Sequence, residues 1–333
     1  MSELEPNVVV VGGGTGSFTL LQELKLLTPN LTAVVNMCDD GGSTGMLRDE
    51  LGVLPPGDVR QCLVALSETP KMRDVFNYRF SEGSFKNQSL GNIILAGLEK
   101  QHGNFAEAVE VASELLNIHG RVVPVSLENY KLVMHDGDQT LSGQSVIDKH
   151  AITSDNPRVE LDPPAQISDK ASQAFIEAEM IVIAPGNLYS SLVPTLAVGG
   201  VAEAIKASKA TKVMVTNLVN KPGQTDGWSA ADYAITVERY VGKGQLDYIL
   251  YNNAPPDALL LAKYAADGEF PLEANEAALS VLRAQAIGAS LVAQEIFAPD
   301  PNDTILRRTL IRHNAVLVRE LLQSLLPWQR IVP

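Results

Sequence analysis

Residues 31–48 read LTAVVNMCDDGGSTGMLR, and the reading of this stretch decides the fold. The run LTAVV is apolar without alternation, as a strand buried on both faces is; a half-solvated strand would alternate. It ends at two adjacent carboxylates, Asp39 and Asp40, then passes through Gly41, Gly42, Ser43 and Thr44, where a helix reaching Arg48 is expected to start. A buried strand, a polar glycine turn and a helix form the opening of a βαβ unit.

The same pattern recurs at VVVVG (8–12), MIVIAPG (180–186), KVMVTN (212–217) and LDYILYN (246–252). Between the runs lie helix-period segments; in SFTLLQELKLL (17–27), Leu20, Leu21, Leu24 and Leu27 make one apolar stripe. Further helices are expected over 59–67, 89–101, 104–117, 194–208, 257–267 and 304–325. Strands buried on both faces and joined by helices imply an α/β fold with a doubly wound, mostly parallel sheet. Alternation, a DGD turn and Gly143 mark 120–162 as a small antiparallel insertion, and 268–303 reads as irregular chain around one late strand near SLVAQEI. With no repeat and no low-complexity linker, residues 1–333 are expected to form one domain carrying that insertion.

The formal net charge is −13 with only 8 Phe, 8 Tyr and 2 Trp, which excludes a basic groove or stacking platform for nucleic acid. An anionic small molecule is still compatible, because a local nest of backbone N–H groups binds phosphate inside an acidic protein. No apolar run approaches the length of a membrane span. Cys38 and Cys62 lack CxxC spacing and the amino terminus has no apolar leader, so a reduced, cytoplasmic setting is expected.

In a parallel sheet the chain leaves every strand along one edge, where open α/β folds bind ligands. GGGTGS follows the first strand, bringing Gly12, Gly13, Gly14, Thr15 and Gly16; MCDDGGSTG follows the second, PGNLYSS the run at 180, and NLVNKPGQTDG the run at 212. The first loop lacks G-x-G-x-x-G in either register, because Ser17 or Thr19 takes the third glycine position, and neither glycine loop has the Gly-Lys-Ser/Thr of a P-loop. What it keeps is a tight turn into a helix start, which suits a phosphate. For Asp39 and Asp40 three roles compete: acceptor for ribose hydroxyls, Mg²⁺ ligand, or N-cap of the helix near Ser43. In LPPGDVRQCLVAL (54–66), Asp58 is expected to cap a helix whose first turn carries Arg60, against the helix dipole, as a bidentate ligand for an anion or as the partner of Asp58 or Asp49. The five histidines share no metal-ligand spacing, and neither a nucleophile nor a general base can be named.

Seven motifs in one order, VVVVGGGTGSFTLLQELK, DDGGSTGMLR, PPGDVRQCLVAL, YRF (78–80), SLGN (89–92), PGNLYSSLVPTL (185–196) and NKPGQTDGWSAADY (220–233), resemble the bacterial gluconeogenesis factor family, YvcK, over roughly residues 7–320. That family is CofD-like, related to the 2-phospho-L-lactate transferases. The resemblance implies a Rossmann-like three-layer fold and a cytoplasmic regulator of cell shape and wall synthesis under gluconeogenic growth. It implies a nucleotide-sugar ligand of the UDP-N-acetylglucosamine type, and it is compatible with a homo-oligomer. The alternative it carries is a Mg²⁺-dependent 2-phospho-L-lactate transferase-like enzyme with a guanine nucleotide-linked donor, Asp39 and Asp40 holding the metal. The ligand-binding positions it implies are Gly12 to Gly16, Asp39 to Thr44, Arg48, Asp58, Arg60, Asn92, Gly186 and Asn217; Asn187 and Asn220, in the loops at the same sheet edge, are expected to bind with them, and phosphate is expected on the glycine turns and on Arg48 or Arg60. The chain departs from the family pattern at Gln88, Asn187, Asn220, Lys221 and Gln224.

Overall fold

The structure is a computed structural model that describes residues 5–293 and 311–326. Its ten strands are β1 (Val8–Val11), β2 (Leu31–Val35), β3 (Arg121–Pro124), β4 (Lys131–Asp136), β5 (Gln139–Ser142), β6 (Arg158–Asp162), β7 (Met180–Ile183), β8 (Thr211–Val215), β9 (Tyr248–Asn252) and β10 (Gln285–Ala289). Seven form a parallel sheet in the order β10-β9-β8-β7-β1-β2-β3, and β5-β4-β6 form a separate antiparallel sheet. The expected α/β architecture is therefore present, with all five apolar runs in the parallel sheet.

The helices are α1 (Gly14–Leu24), α2 (Gly42–Leu51), α3 (Gly57–Leu66), α4 (Pro70–Asn77), α5 (Leu90–His102), α6 (Phe105–Leu116), α7 (Gln144–Ile147), α8 (Asp169–Glu177), α9 (Val193–Leu196), α10 (Val201–Ala207), α11 (Ala230–Val241), α12 (Ala258–Ala266), α13 (Glu276–Ser280) and α14 (Ala315–Ser324). A π-helical turn, Leu188–Leu192, leads into α9. The stripe on α1 packs as its spacing demands: Leu20, Leu21 and Leu24 are buried and Leu27 is half-buried. Each fully buried leucine contributes about 2 kcal/mol. Helices α1, α3, α6 and α14 pack together, as do α8, α10 and α11.

Four expectations need correction. The antiparallel region begins at Lys131, not 120, because Arg121–Pro124 pairs with β2 as the last strand of the parallel sheet. The late strand is Gln285–Ala289; Leu291 and Val292 lie beyond it, and residues 294–296 of the expected strand fall outside the described residues. The helix expected over 194–208 is broken at 197–200, where Gly199 and a left-handed Gly200 turn the chain. The last helix is described from Ala315, with 304–310 of the expected span outside the described residues.

Candidate functional site

Strand order reverses beside β1: β2 and β3 extend the sheet on one side, β7 to β10 on the other. In open α/β sheets the chain ends of the two strands flanking such a reversal diverge and leave a crevice. Here its walls are the glycine turn after β1 and the Pro185–Asn187 turn after β7. The two turns approach closely: a Cβ on Gly16 would stand 2.1 Å from the Pro185 carbonyl oxygen, so only glycine fits. Asn217, at the end of β8, clamps the second turn by accepting from Gly186 N–H (3.0 Å) and donating to Gly186 O (2.9 Å). A cavity of about 130 Å³ opens there between Gly16, Thr19, Gly186, Asn217 and the returning segment at Arg312 and His313. A larger cavity, about 740 Å³, lies at the opposite edge beside Asn30, Gly120 and Lys170, away from every polar loop considered above.

The second glycine loop supplies an acidic wall. Asp39 does not cap α2; its Oδ1 accepts from Gly41 N–H (3.0 Å), and the N-cap is Gly41 with no side-chain bond. Its Oδ2 lies against Gly57, where a Cβ would be 2.2 Å away. Asp58 is not an N-cap either: it sits in the first turn of α3 behind Pro56, and its Oδ2 would touch a Cβ on Gly13 at 2.5 Å. Burial, reinforced by the charge of Asp39, pushes the Asp58 carboxyl up to about 7, although Asn36 donates to it at 3.5 Å. Burial and, less strongly, the charge of Asp40 raise Asp39 as well, against hydrogen bonds from Gly41 and Thr44. Asp58 thus faces the first glycine turn and Asp39 the start of α3, close enough for the charge of one to act on the other, a pairing that sequence spacing hides.

Asp40 points elsewhere. Its carboxylate accepts from Gln144 N–H (2.9 Å) and Ser145 N–H (2.8 Å), capping α7 of the antiparallel region. Gly143 lies under that carboxylate, 2.8 Å from Oδ2 in Cβ terms. At the other end of α7, Asp148 accepts from Asn187 Nδ2 and from Ser190 Oγ (2.9 Å), and pairs with Lys221 Nζ at 3.4 Å. The insertion is thereby fastened to the crevice at both ends of one short helix.

Several expected ligands are turned inward. Arg48 donates to Tyr130 O (3.0 Å). Arg60 is buried and donates to Asn92 Oδ1 (2.9 Å), Asn77 Oδ1 (3.1 Å) and Phe76 O (3.3 Å), while its charge acts on Asp58 and Asp39 and lowers both carboxyls against the effect of burial. Asn92 also donates to Thr44 Oγ1 (3.4 Å), while Ser43 Oγ donates to Gln88 (2.8 Å) and accepts from Ser89 N–H. Asn220 spends its amide on Asp226, Gly268 and Phe270. These residues fix the loops that carry the site. Gly12 to Gly16, Gly41, Gly42, Asp39, Gly186, Asn187 and Asn217 remain along the crevice edge, with Thr15 in the first turn of α1.

The family model of 2-phospho-L-lactate transferase CofD matches residues 8–292. The chain belongs to the CofD family. A gluconeogenesis factor from Halalkalibacterium halodurans is 38% identical over 94% of this chain and 94% of its own length. A Clostridium acetobutylicum relative is 41% identical over 78% of this chain and 58% of its own length. The crystal structure of a Bacillus halodurans protein superposes with a TM-score of 0.87 at 38% identity, covering 95% of this chain and 99% of that one. Within the CofD family the chain therefore groups with the gluconeogenesis factors, as its motifs indicated.

Residues that sequence reading missed also line this CofD-family crevice. His313 donates Nε2–H to Thr216 O (2.9 Å), and burial lowers its pKa to about 4, which keeps the ring neutral. Asp148 and Lys221 were legible only as ordinary charges. Among the described residues no group of three or more His, Cys, Asp or Glu is placed to hold a metal ion, and no helix is long and apolar enough to cross a membrane.

Proposed function

We propose that the chain is a gluconeogenesis factor that binds a nucleotide sugar of the UDP-N-acetylglucosamine type in the crevice between β1 and β7, and acts as a regulator of wall synthesis and cell shape. The observation that carries this reading is the crevice itself. The glycine turn into α1 has no side-chain cap and suits a diphosphate at the helix start, Asn217 holds the Gly186 turn in place opposite it, and the acidic wall accepts hydroxyls. A phosphorylated small molecule also agrees with membership of the CofD family. Thermal unfolding with millimolar UDP-N-acetylglucosamine tests the proposal: saturation at 100 times Kd stabilises by about 2.7 kcal/mol. At an unfolding entropy of about 2.1 cal/mol/K per residue, this moves Tm by about 4 °C. No shift at saturating ligand would rule the proposal out.

A second reading, a Mg²⁺-dependent transferase, is favoured by the acidic pair. Asp40 is occupied by two backbone amides, so the carboxylates that fit a divalent cation are Asp39 and Asp58, not Asp39 and Asp40. Buried carboxylates with raised pKa values are what such a donor set looks like without its counter-charge. A bound Mg²⁺ would neutralise that pair and polarise a phosphoryl oxygen. Asn36 steadies Asp58, and the Thr44 hydroxyl and Gly41 amide steady Asp39. Mg²⁺-dependent turnover of a guanine nucleotide-linked donor, lost in Asp58→Asn, distinguishes this reading from the first.

A further inference from the structure

We propose that Lys221, which pairs with Asp148, is a cation that takes a phosphate oxygen of the ligand. A chain of net charge −13 with an acidic wall at its site needs a local positive charge to hold a phosphate. The arginines nearest in sequence to the glycine loops do not supply it, because Arg48 and Arg60 donate into the protein at Tyr130, Asn92, Phe76 and Asn77.

Lys221 has the opposite character. Its backbone is locked in a turn, N–H donating to Thr225 Oγ1 (2.8 Å) and the carbonyl accepting from Gln224 and Thr225 N–H. Its side chain is 37% exposed and its ammonium lies 3.4 Å from Oδ2 of Asp148, whose side chain is 35% exposed. That is longer than a close charge-assisted bond of about 2.8 Å, and exposed pairs of this kind are weak. Exchange costs Asp148 little, since its other oxygen keeps Asn187 and Ser190 as donors. The carboxyl of Glu269, raised by burial, also feels the Lys221 charge, so the ammonium lies within reach of a second carboxylate besides Asp148.

An ammonium has three N–H donors, of which Asp148 uses one. Beside it, the buried Oδ1 of Asn187 has no hydrogen-bond partner and is an acceptor for a ligand hydroxyl. Asn187 directly follows Gly186 in the turn that forms one wall of the crevice. Lys221, Asp148 and Asn187 thus form a polar rim where the insertion meets the glycine turns.

This inference rests on the proposed ligand only for its identity, so the test uses two probes. Isothermal titration of the full chain with inorganic pyrophosphate and with UDP-N-acetylglucosamine compares wild type, Lys221→Met, Lys221→Arg and Asp148→Asn. Lys221→Met is expected to weaken both probes about tenfold, the size of one charged contact. Lys221→Arg should recover most of the loss, and Asp148→Asn should bind at least as tightly as wild type. Equal binding by wild type and Lys221→Met overturns the assignment, as does an equal loss in Lys221→Met and Asp148→Asn. A Lys221-dependent pyrophosphate signal without nucleotide-sugar binding upholds Lys221 and refutes the sugar ligand; binding of neither probe refutes both.

Discussion

Replacing Asp58 by Asn should stabilise the protein at alkaline pH and do little in acid. Asp58 has an ordinary carboxylate value of 3.8 and a folded value of about 7, so the folded state binds the proton more tightly than the unfolded state does. A group raised in this way destabilises on ionisation: the penalty is absent below the unfolded value, grows as pH rises from about 4 to 7, and is complete above that. The full shift corresponds to about 4 kcal/mol. Asp58 is half-buried by surface area, and solvent screening reduces this to about 2 kcal/mol. With 333 residues and about 2.1 cal/mol/K per residue, Asp58→Asn should raise Tm by about 3 °C at pH 8.5 and by less than about 1 °C at pH 4.5. Asparagine keeps the shape and an acceptor for Asn36, so packing is not disturbed. Differential scanning fluorimetry over that range, with and without millimolar Mg²⁺, is the assay. A Tm difference independent of pH, or a lower Tm for Asp58→Asn at pH 8.5, would falsify the reasoning about the acidic pair. Mg²⁺ should close the gap by stabilising wild type alone.

The remaining predictions concern the same framework. Gly57→Ala puts a methyl about 2.2 Å from Asp39 Oδ2 and 2.6 Å from Thr44 Oγ1, so it should cost about 1–3 kcal/mol in urea unfolding and weaken ligand binding with it. Asp40→Ala removes the acceptor for two amides of α7 and should raise hydrogen exchange across residues 131–162 with β1 and β7 unchanged; uniform exchange would refute the docking role. His313 has a folded pKa lowered to about 4, so wild type should lose stability as pH falls from about 6.5 towards 4, and His313→Gln should flatten that slope in pH-dependent unfolding.

The layered fold was legible because five strands are buried on both faces and carry no alternation. β3 was not, since RVVP is short and its first residue is exposed; β10, QAIGA, has only half-buried apolar positions and reads as loop. The crevice could be placed from the loops after β1 and β7, but the partners of its charged groups could not. Asp40 looks equivalent to Asp39 in DDGG, yet a residue 104 positions later claims it. Arg60 looks like an anion ligand because it opposes the helix dipole, yet it serves to join α3 to α4 and α5. Lys221 reads as an ordinary turn lysine until Asp148, 73 residues earlier, is brought beside it. Tertiary contacts of this length leave no local pattern, so periodicity and capping rules reach the scaffold and stop at the charges.

The most direct test is hydrogen–deuterium exchange of the full chain with and without saturating UDP-N-acetylglucosamine. A ligand in the crevice between β1 and β7 predicts added protection at residues 12–17, 41–45 and 186–192, with smaller changes at 143–148. Protection at 120–124 and 170–177, the walls of the larger cavity at the opposite sheet edge, or no protection anywhere, would contradict it.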